Sequence, residues 1–276
     1  MLVDVHSHLN DSRLISNVEE IIEKSRQNGV EKIICSGHDL SSSVLAIQLA
    51  NKYDNVFASI GIHPHSCFEY DENFEELAKT AIKNRKIVAI GEIGLDFYNL
   101  DLQIEEILKI YPNMNLTKEI LIEKQKEVFL KQLKLANMLE LPFIIHMRDA
   151  TDETLKCLEM NKNLLTYSGI IHCFSGSVET TKRIEKLGLY YSIGGSITFK
   201  NSRVIPEVLR EVKLERVLLE TDCPYLSPEP LRGQTNTPAN IPIIRKKLSE
   251  ITGIPEKEVE ETTTKNAHKI FKRLGE

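Results

Sequence analysis

Apolar and polar positions along this chain switch between two periods from one end to the other. Short runs rich in β-branched and aromatic residues, "LVDVH", "KIICSG", "VFASIGIH", "IVAIGE", "PFIIH", "GIIHCF", "YYSIGG" and "VLLETD", predict eight strands. Amphipathic stretches of helical period separate them. "SNVEEIIEKSRQNG" reads as one complete helix: Asn17 is placed to cap it with Glu20 three residues on, Val18, Ile21 and Ile22 form a core stripe, and Gly29 permits the stop. In "EKQKEVFLKQLKLANMLELP" the stripe is Phe129, Leu133 and Ala136, with Pro142 marking the exit.

A polar residue or glycine stands near each strand end: His6, Gly37, His63, Glu92, His146, His172, Gly195 and Asp222. The gaps between them are 31, 26, 29, 54, 26, 23 and 27 residues. All but one match a single strand-plus-helix unit of about thirty residues. The 54-residue gap is one unit plus an insertion at about 99–120. Unbroken βα units in this number predict an α/β fold, a (β/α)8 TIM barrel formed by residues 1–276 as a single domain. An open doubly wound sheet is the alternative, but no strand is followed by a GxGxxG or GxxxxGK[ST] loop.

Composition narrows the setting. Hydrophobic content of 41% and charged content of 27% suit a soluble chain with a sizeable core, and no apolar run approaches a membrane span. The start "MLVDVHSHLN" shows no basic leader or cleavage site, and five cysteines follow no pairing pattern. Both features lead to the expectation of a reducing cytoplasm. A net charge of -5 argues against a duplex-coating protein, although an enzyme can still grip a few phosphates locally. Nothing in the sequence marks a protein partner.

In a barrel of this kind the chemistry gathers at the C-terminal strand ends. Strict alternation along the first strand puts Asp4, His6 and His8 on one face and Val3 and Val5 on the other. The later strand ends carry His63 and His65 in "GIHPH", Glu92 in "GEIGLD", His146 in "IIHMRDA", His172 in "IIHCFSG" and Asp222 in "ETDCPYL". Alone, each is an ordinary polar residue. Converging on one mouth, they need a shared partner. Imidazole nitrogens with carboxylate oxygens suit zinc or manganese, with magnesium favoured where oxygens dominate. Glu92 has two oxygens and can bridge two divalent ions, leaving His6, His8 and Asp222 for one and His146 and His172 for the other.

The motifs "VDVHSHLN", "GIHPH", "GEIGLDFY", "LPFIIHMRDA", "GIIHCFSGS", "IGGSITFKN", "ETDCPYLSPEP" and "TKNAHKIF" resemble, in order, those of the TatD-family metal-dependent deoxyribonucleases. The resemblance covers nearly the whole chain. It implies a barrel with one or two divalent metals, and its ligands fall on His6, His8, Glu92, His146, His172 and Asp222. It places His63 against substrate phosphate. His65, Arg148 and Arg232 are further candidates for phosphate contacts, as are Lys200 and Arg203. The implied function is cleavage of DNA phosphodiester bonds by a metal-activated water, exonucleolytic on single-stranded DNA, with Glu92 and Asp222 catalytic. The same centre could instead cleave an ester or amide such as D-aminoacyl-tRNA, and a silent binding barrel is the non-enzymatic alternative.

Two departures from the family pattern stand out. The segment "NLDLQIEEILKIYPNMNLTKEILIE" is longer than usual, as a lid or a surface decoration would be, and Gln234 in "PLRGQTNTP" stands where a basic residue is common. Asp4 and Glu220 are expected to orient ligands from behind. Were Cys173 and Cys223 still strand-like, their thiols would face away from the ligands and into core packing.

Overall fold

A computed structural model of the protein describes residues 1–275. The strands are β1 (Leu2–Ser7), β2 (Val30–Ser36), β3 (Val56–Ile60), β4 (Ile87–Asp96), β5 (Phe143–Arg148), β6 (Gly169–Ile171), β7 (Tyr190–Ile193) and β8 (Val217–Leu219). They pair in parallel in the order β1 to β8, forming the barrel that the spacing predicts. The ring closes at the mouth, where the Asp222 N–H donates to the His6 carbonyl at 3.0 Å and the His8 N–H to the Cys223 carbonyl at 2.8 Å.

The helices are α1 (Val18–Gln27), α2 (Leu40–Lys52), α3 (Glu72–Ala81), α4 (Leu100–Ile110), α5 (Lys118–Met138), α6 (Thr151–Met160), α7 (Val178–Lys186), α8 (Val204–Glu211), α9 (Ile241–Thr252) and α10 (Glu256–Ile270). The Phe129, Leu133 and Ala136 stripe of α5 is fully buried against the strands. Just past the end of α1, Gly29 takes a φ of 81°, which favours a residue without a Cβ. The start of α1 differs from expectation. A 3-10 turn, Ile15–Asn17, runs directly into α1, and Asn17 makes no side-chain cap.

Two apolar layers surround the strands. Ile33, Cys35 and Ala58 alternate outward onto the helices. Ile34, Phe57, Ile144, Ile170, Tyr190 and Leu218 fill the inside together with Ile270 and Phe271 near the C-terminus. Val3 and Val5 belong to this inner layer. Strict alternation along β1 therefore fails, because its pairing with β2 shifts register between Asp4 and Ser7. β4 shifts likewise between Ile90 and Ile93. Such shifts re-aim side chains next to functional sites, and here they lie beside His6 and Glu92.

The insertion forms a helix that packs on the barrel. Asn99, in the left-handed region at φ 47°, accepts from the Leu102 N–H and starts α4, which lies against α5. Gln103 turns inward from α4 and is only 4% exposed. No helix among the described residues is long and apolar enough to cross a membrane.

Candidate metal centre

His6 and Glu92 meet at the centre of the mouth. His6 Nε2 lies 3.2 Å from His8 Nε2, 3.4 Å from Asp222 Oδ1 and 3.5 Å from Glu92 Oε2. His8 Nε2 is 3.5 Å from both carboxylate oxygens. Tetrahedral bonds of about 2.0–2.1 Å place neighbouring ligand atoms about 3.3–3.4 Å apart, so the His6, His8 and Asp222 atoms have the spacing of a divalent cation's first sphere, with Glu92 Oε2 beside both imidazoles. The imidazoles are oriented for it. His8 Nδ1 lies 3.1 Å from the Ser36 carbonyl, which takes its proton and leaves Nε2 with the lone pair. His6 Nδ1 lies 3.0 Å from Ser36 Oγ, which can do the same.

The other oxygen of Glu92 serves a second cluster. Glu92 Oε1 is 2.7 Å from His146 Nδ1, 2.7 Å from His172 Nε2 and 3.7 Å from His63 Nε2. Three sets of donors each lie within 4.8 Å of one another: His6, His8 and Asp222; His6, Glu92 and His172; His63, Glu92 and His146. Glu92 is common to two of them. The structure thus brings together all six residues named as ligands.

The charges of the cluster are tightly coupled. Burial and the nearby His172 both oppose a proton on His6, yet hydrogen bonds to Asp222 and Glu92 outweigh them and raise its pKa to about 9. Burial likewise opposes a charge on His172, but Glu92 and Glu220 hold its pKa well above the usual value. These two rings stack 4.0 Å apart, a poor arrangement for two imidazoliums. Burial would raise the pKa of Glu92, but His172 and His63 hold it well below the ordinary range. Asp222 is also lowered, hydrogen bonds from His6 and His8 overcoming its burial. Ionised carboxylates among crowded imidazoles are satisfied by protons or by metal, and the donor set fits divalent metal.

His63 differs. Burial and the neighbouring His146 hold its pKa well below the usual value, and its Nδ1 accepts from the His65 N–H at 3.1 Å. The proton of the neutral ring therefore sits on Nε2, which points at the site as a donor. His65 is more open, with Nε2 3.2 Å from Asp96 Oδ2. Arg148 and Arg232 stand at the rim, stacked on Tyr98 at 3.8 Å and Phe199 at 4.3 Å. Gln234 is exposed.

Of the two carboxylates expected behind the ligands, Glu220 lies near His172 but beyond hydrogen-bond distance of it. Its Oε1 is 3.7 Å from His172 Nδ1 and accepts from the Cys173 N–H, and Ser192 Oγ holds its other oxygen. Asp4 does not reach a ligand side chain. It accepts from the Thr221 N–H at 3.0 Å and from the Thr221 hydroxyl, tying β1 to the segment that carries Asp222. Cys223 is core, as read from the sequence. Cys173 is not strand-like: its φ is 46°, and its thiol pKa is raised by burial and by the charges of Glu220, Asp222 and Glu92.

Sequence reasoning missed Asp96. It is 1% exposed, with Oδ2 3.0 Å from His146 Nε2. Hydrogen bonds from His146 and His65 overcome its burial and lower its pKa. Its own N–H donates to Gln125 Oε1 at 3.0 Å, Gln125 Nε2 donates to Gln103 Oε1 at 3.0 Å, and Gln103 Nε2 donates to the Asp96 carbonyl at 3.2 Å. The "GLD" aspartate two strand positions past Gly94 was the available signal. Asn236 was also missed: fully buried in the "RGQTNTP" loop, it donates to the carbonyls of Thr221 and Tyr225 and shapes the Asp222 segment.

A parallel barrel with histidines and carboxylates clustered at its C-terminal mouth is the architecture of a metal-dependent hydrolase. Residues 3–272 match the family model described as TatD related DNase, and the chain belongs to that family. It is 36% identical over 272 residues to the uncharacterized metal-dependent hydrolase YabD of Bacillus subtilis, covering 99% of each chain. It is 31% identical over 274 residues to the uncharacterized metal-dependent hydrolase YcfH of Escherichia coli K12, covering 98% of this chain and 95% of that one. Among solved structures it resembles YjjV, a TatD homolog from Escherichia coli K12, with a TM-score of 0.86 and 28% identity over 98% of each chain.

Proposed function

We propose that the protein is a deoxyribonuclease that cleaves phosphodiester bonds from an end of single-stranded DNA, using two divalent ions held at the barrel mouth. The observation that carries this reading is Glu92, whose two oxygens each face a separate set of imidazoles. His6, His8 and Asp222 would hold one ion, and His146 and His172 the other, with Glu92 between them. Bound there, the ions would supply Lewis-acid activation of water and neutralise charge on the phosphate.

The remaining work falls to the chain itself. Asp222 directs Oδ1 at His6 and His8 and keeps 15% of its side chain open, so its carboxylate can take the proton of the attacking water. As the new P–O bond forms, the bond to the leaving sugar oxygen breaks. His63, neutral with its proton on Nε2, donates to a non-bridging phosphate oxygen. His65, Arg148 and Arg232 surround the same mouth and supply further donors to the backbone phosphates. The five unpaired cysteines support a reducing compartment such as the cytoplasm.

The test is nucleotide release from end-labelled single-stranded DNA with magnesium, manganese or zinc, beside a D-aminoacyl ester, a chelator control and Glu92→Gln. Metal-dependent release that falls by roughly 10^3-fold or more in the variant is expected, since bridging charge stabilisation is worth several kcal/mol. Cleavage of the ester and not of DNA would overturn the nuclease reading.

A further inference from the structure

Tyr98 stands at the rim of the mouth with 50% of its surface exposed. The Arg148 guanidinium lies over its ring, 3.8 Å from the centroid. Arg148 has no carboxylate partner among the described residues, yet its charge is felt at the Cys173 thiol beside the site. The backbone of Tyr98 is clamped on both sides: its N–H donates to Asp96 Oδ1 at 2.9 Å and its carbonyl accepts from Gln103 Nε2 at 2.7 Å. The other oxygen of Asp96 contacts His146. The backbone that carries the ring is therefore anchored to the candidate metal centre, and the ring, stacked with Arg148, stays half exposed.

Across the mouth, Tyr225 is 47% exposed, with its ring 6.3 Å from that of His8 and Arg13 stacked on it at 4.5 Å. Arg13 is already neutralised by Asp11, at 2.8 and 2.7 Å. Of these two pairs, Arg148 on Tyr98 keeps its charge unspent.

We propose that Tyr98 and Arg148 form a stacking platform for one unpaired nucleobase next to the scissile phosphate. The inference rests on the nuclease reading and gives it a specificity element. A base presents its π-face to the tyrosine ring or the guanidinium plane, and the guanidinium edge keeps its N–H donors for the adjoining phosphate. A base inside a duplex is stacked on its neighbours and cannot reach the platform, so the platform favours single strands and frayed ends. Stacking reads no hydrogen-bond pattern and tolerates any base.

The experiment compares wild type, Tyr98→Ala and Tyr98→Phe on two end-labelled oligomers of equal length, oligothymidylate and an abasic strand with the same phosphates. Tyr98→Ala should raise KM on oligothymidylate by roughly 5- to 100-fold, the range for loss of one base stack, with kcat within about twofold. It should leave the abasic strand unaffected, and Tyr98→Phe should behave as wild type. An equal rise on both strands, or none on oligothymidylate, would overturn the platform while leaving the nuclease reading intact. Folded wild-type protein that cleaves neither strand with any metal would overturn both.

Discussion

His6 sets the charge balance of the mouth. Its pKa of about 9 means that it is protonated at neutral pH in the metal-free protein, while ligation through Nε2 requires it neutral. Protons and metal therefore compete. Affinity for zinc or manganese, read by competition with a chelator, should be weak near pH 6.5 and tighten as pH rises towards 9. The stability that the protonated ring contributes without metal runs the other way. It is fully present below the unfolded value of 6.5 and is lost as pH rises through about 9. Metal affinity that does not change over this range would show that His6 is not a ligand. Asp96 acts one residue further out. If it fixes the proton on the far nitrogen of His146, Asp96→Asn should cost roughly 10- to 100-fold in metal affinity or turnover without unfolding the chain. An Asp96→Asn protein with wild-type values of both would contradict that role.

Element by element, the strands were readable because each is a short apolar run closed by a polar residue, and nearly constant spacing repeats the unit. The six candidate ligands were readable because each ends such a run. The inward aim of Val3 and Val5 was not, since a register shift in β1 reflects its pairing with β2 and leaves no mark on the sequence. Nor was the use of the insertion. A helix over Leu100–Ile110 is plausible from its pattern, but only packing brings Gln103 to Gln125 and Asp96. Replacing Gln103 by Leu would strand the Gln125 side chain and the carbonyls of Asp96 and Tyr98. The expected loss is about 1–3 kcal/mol, read from the denaturant midpoint. Turnover should fall too, because the brace holds the backbone of Asp96, whose carboxylate contacts His146. An unchanged midpoint would mean that α4 does not brace Asp96.

For the whole molecule, the candidate site and the closing seam of the barrel share residues. Asp4 with Thr221, His6 with Asp222 and His8 with Cys223 join the first strand and its end to the segment that follows the last. Ions held between His6, His8 and Asp222 would cross-link that seam. Saturating metal at about 100 times its Kd should then add about 2.7 kcal/mol to stability, and Glu92→Gln should show a smaller thermal shift. Equal shifts in both proteins would place the metal elsewhere. Two divalent ions bound at the mouth would make it locally positive despite the net charge of -5, so the proposed activity on an anionic polymer needs no basic face over the whole surface.

The central claim is that Glu92 stands between two ions, and crystals grown with manganese test it most directly. Anomalous scattering should give two peaks roughly 3.5–4 Å apart, one beside His6, His8 and Asp222 and the other beside His146 and His172. A single peak, or peaks away from Glu92, would contradict the account.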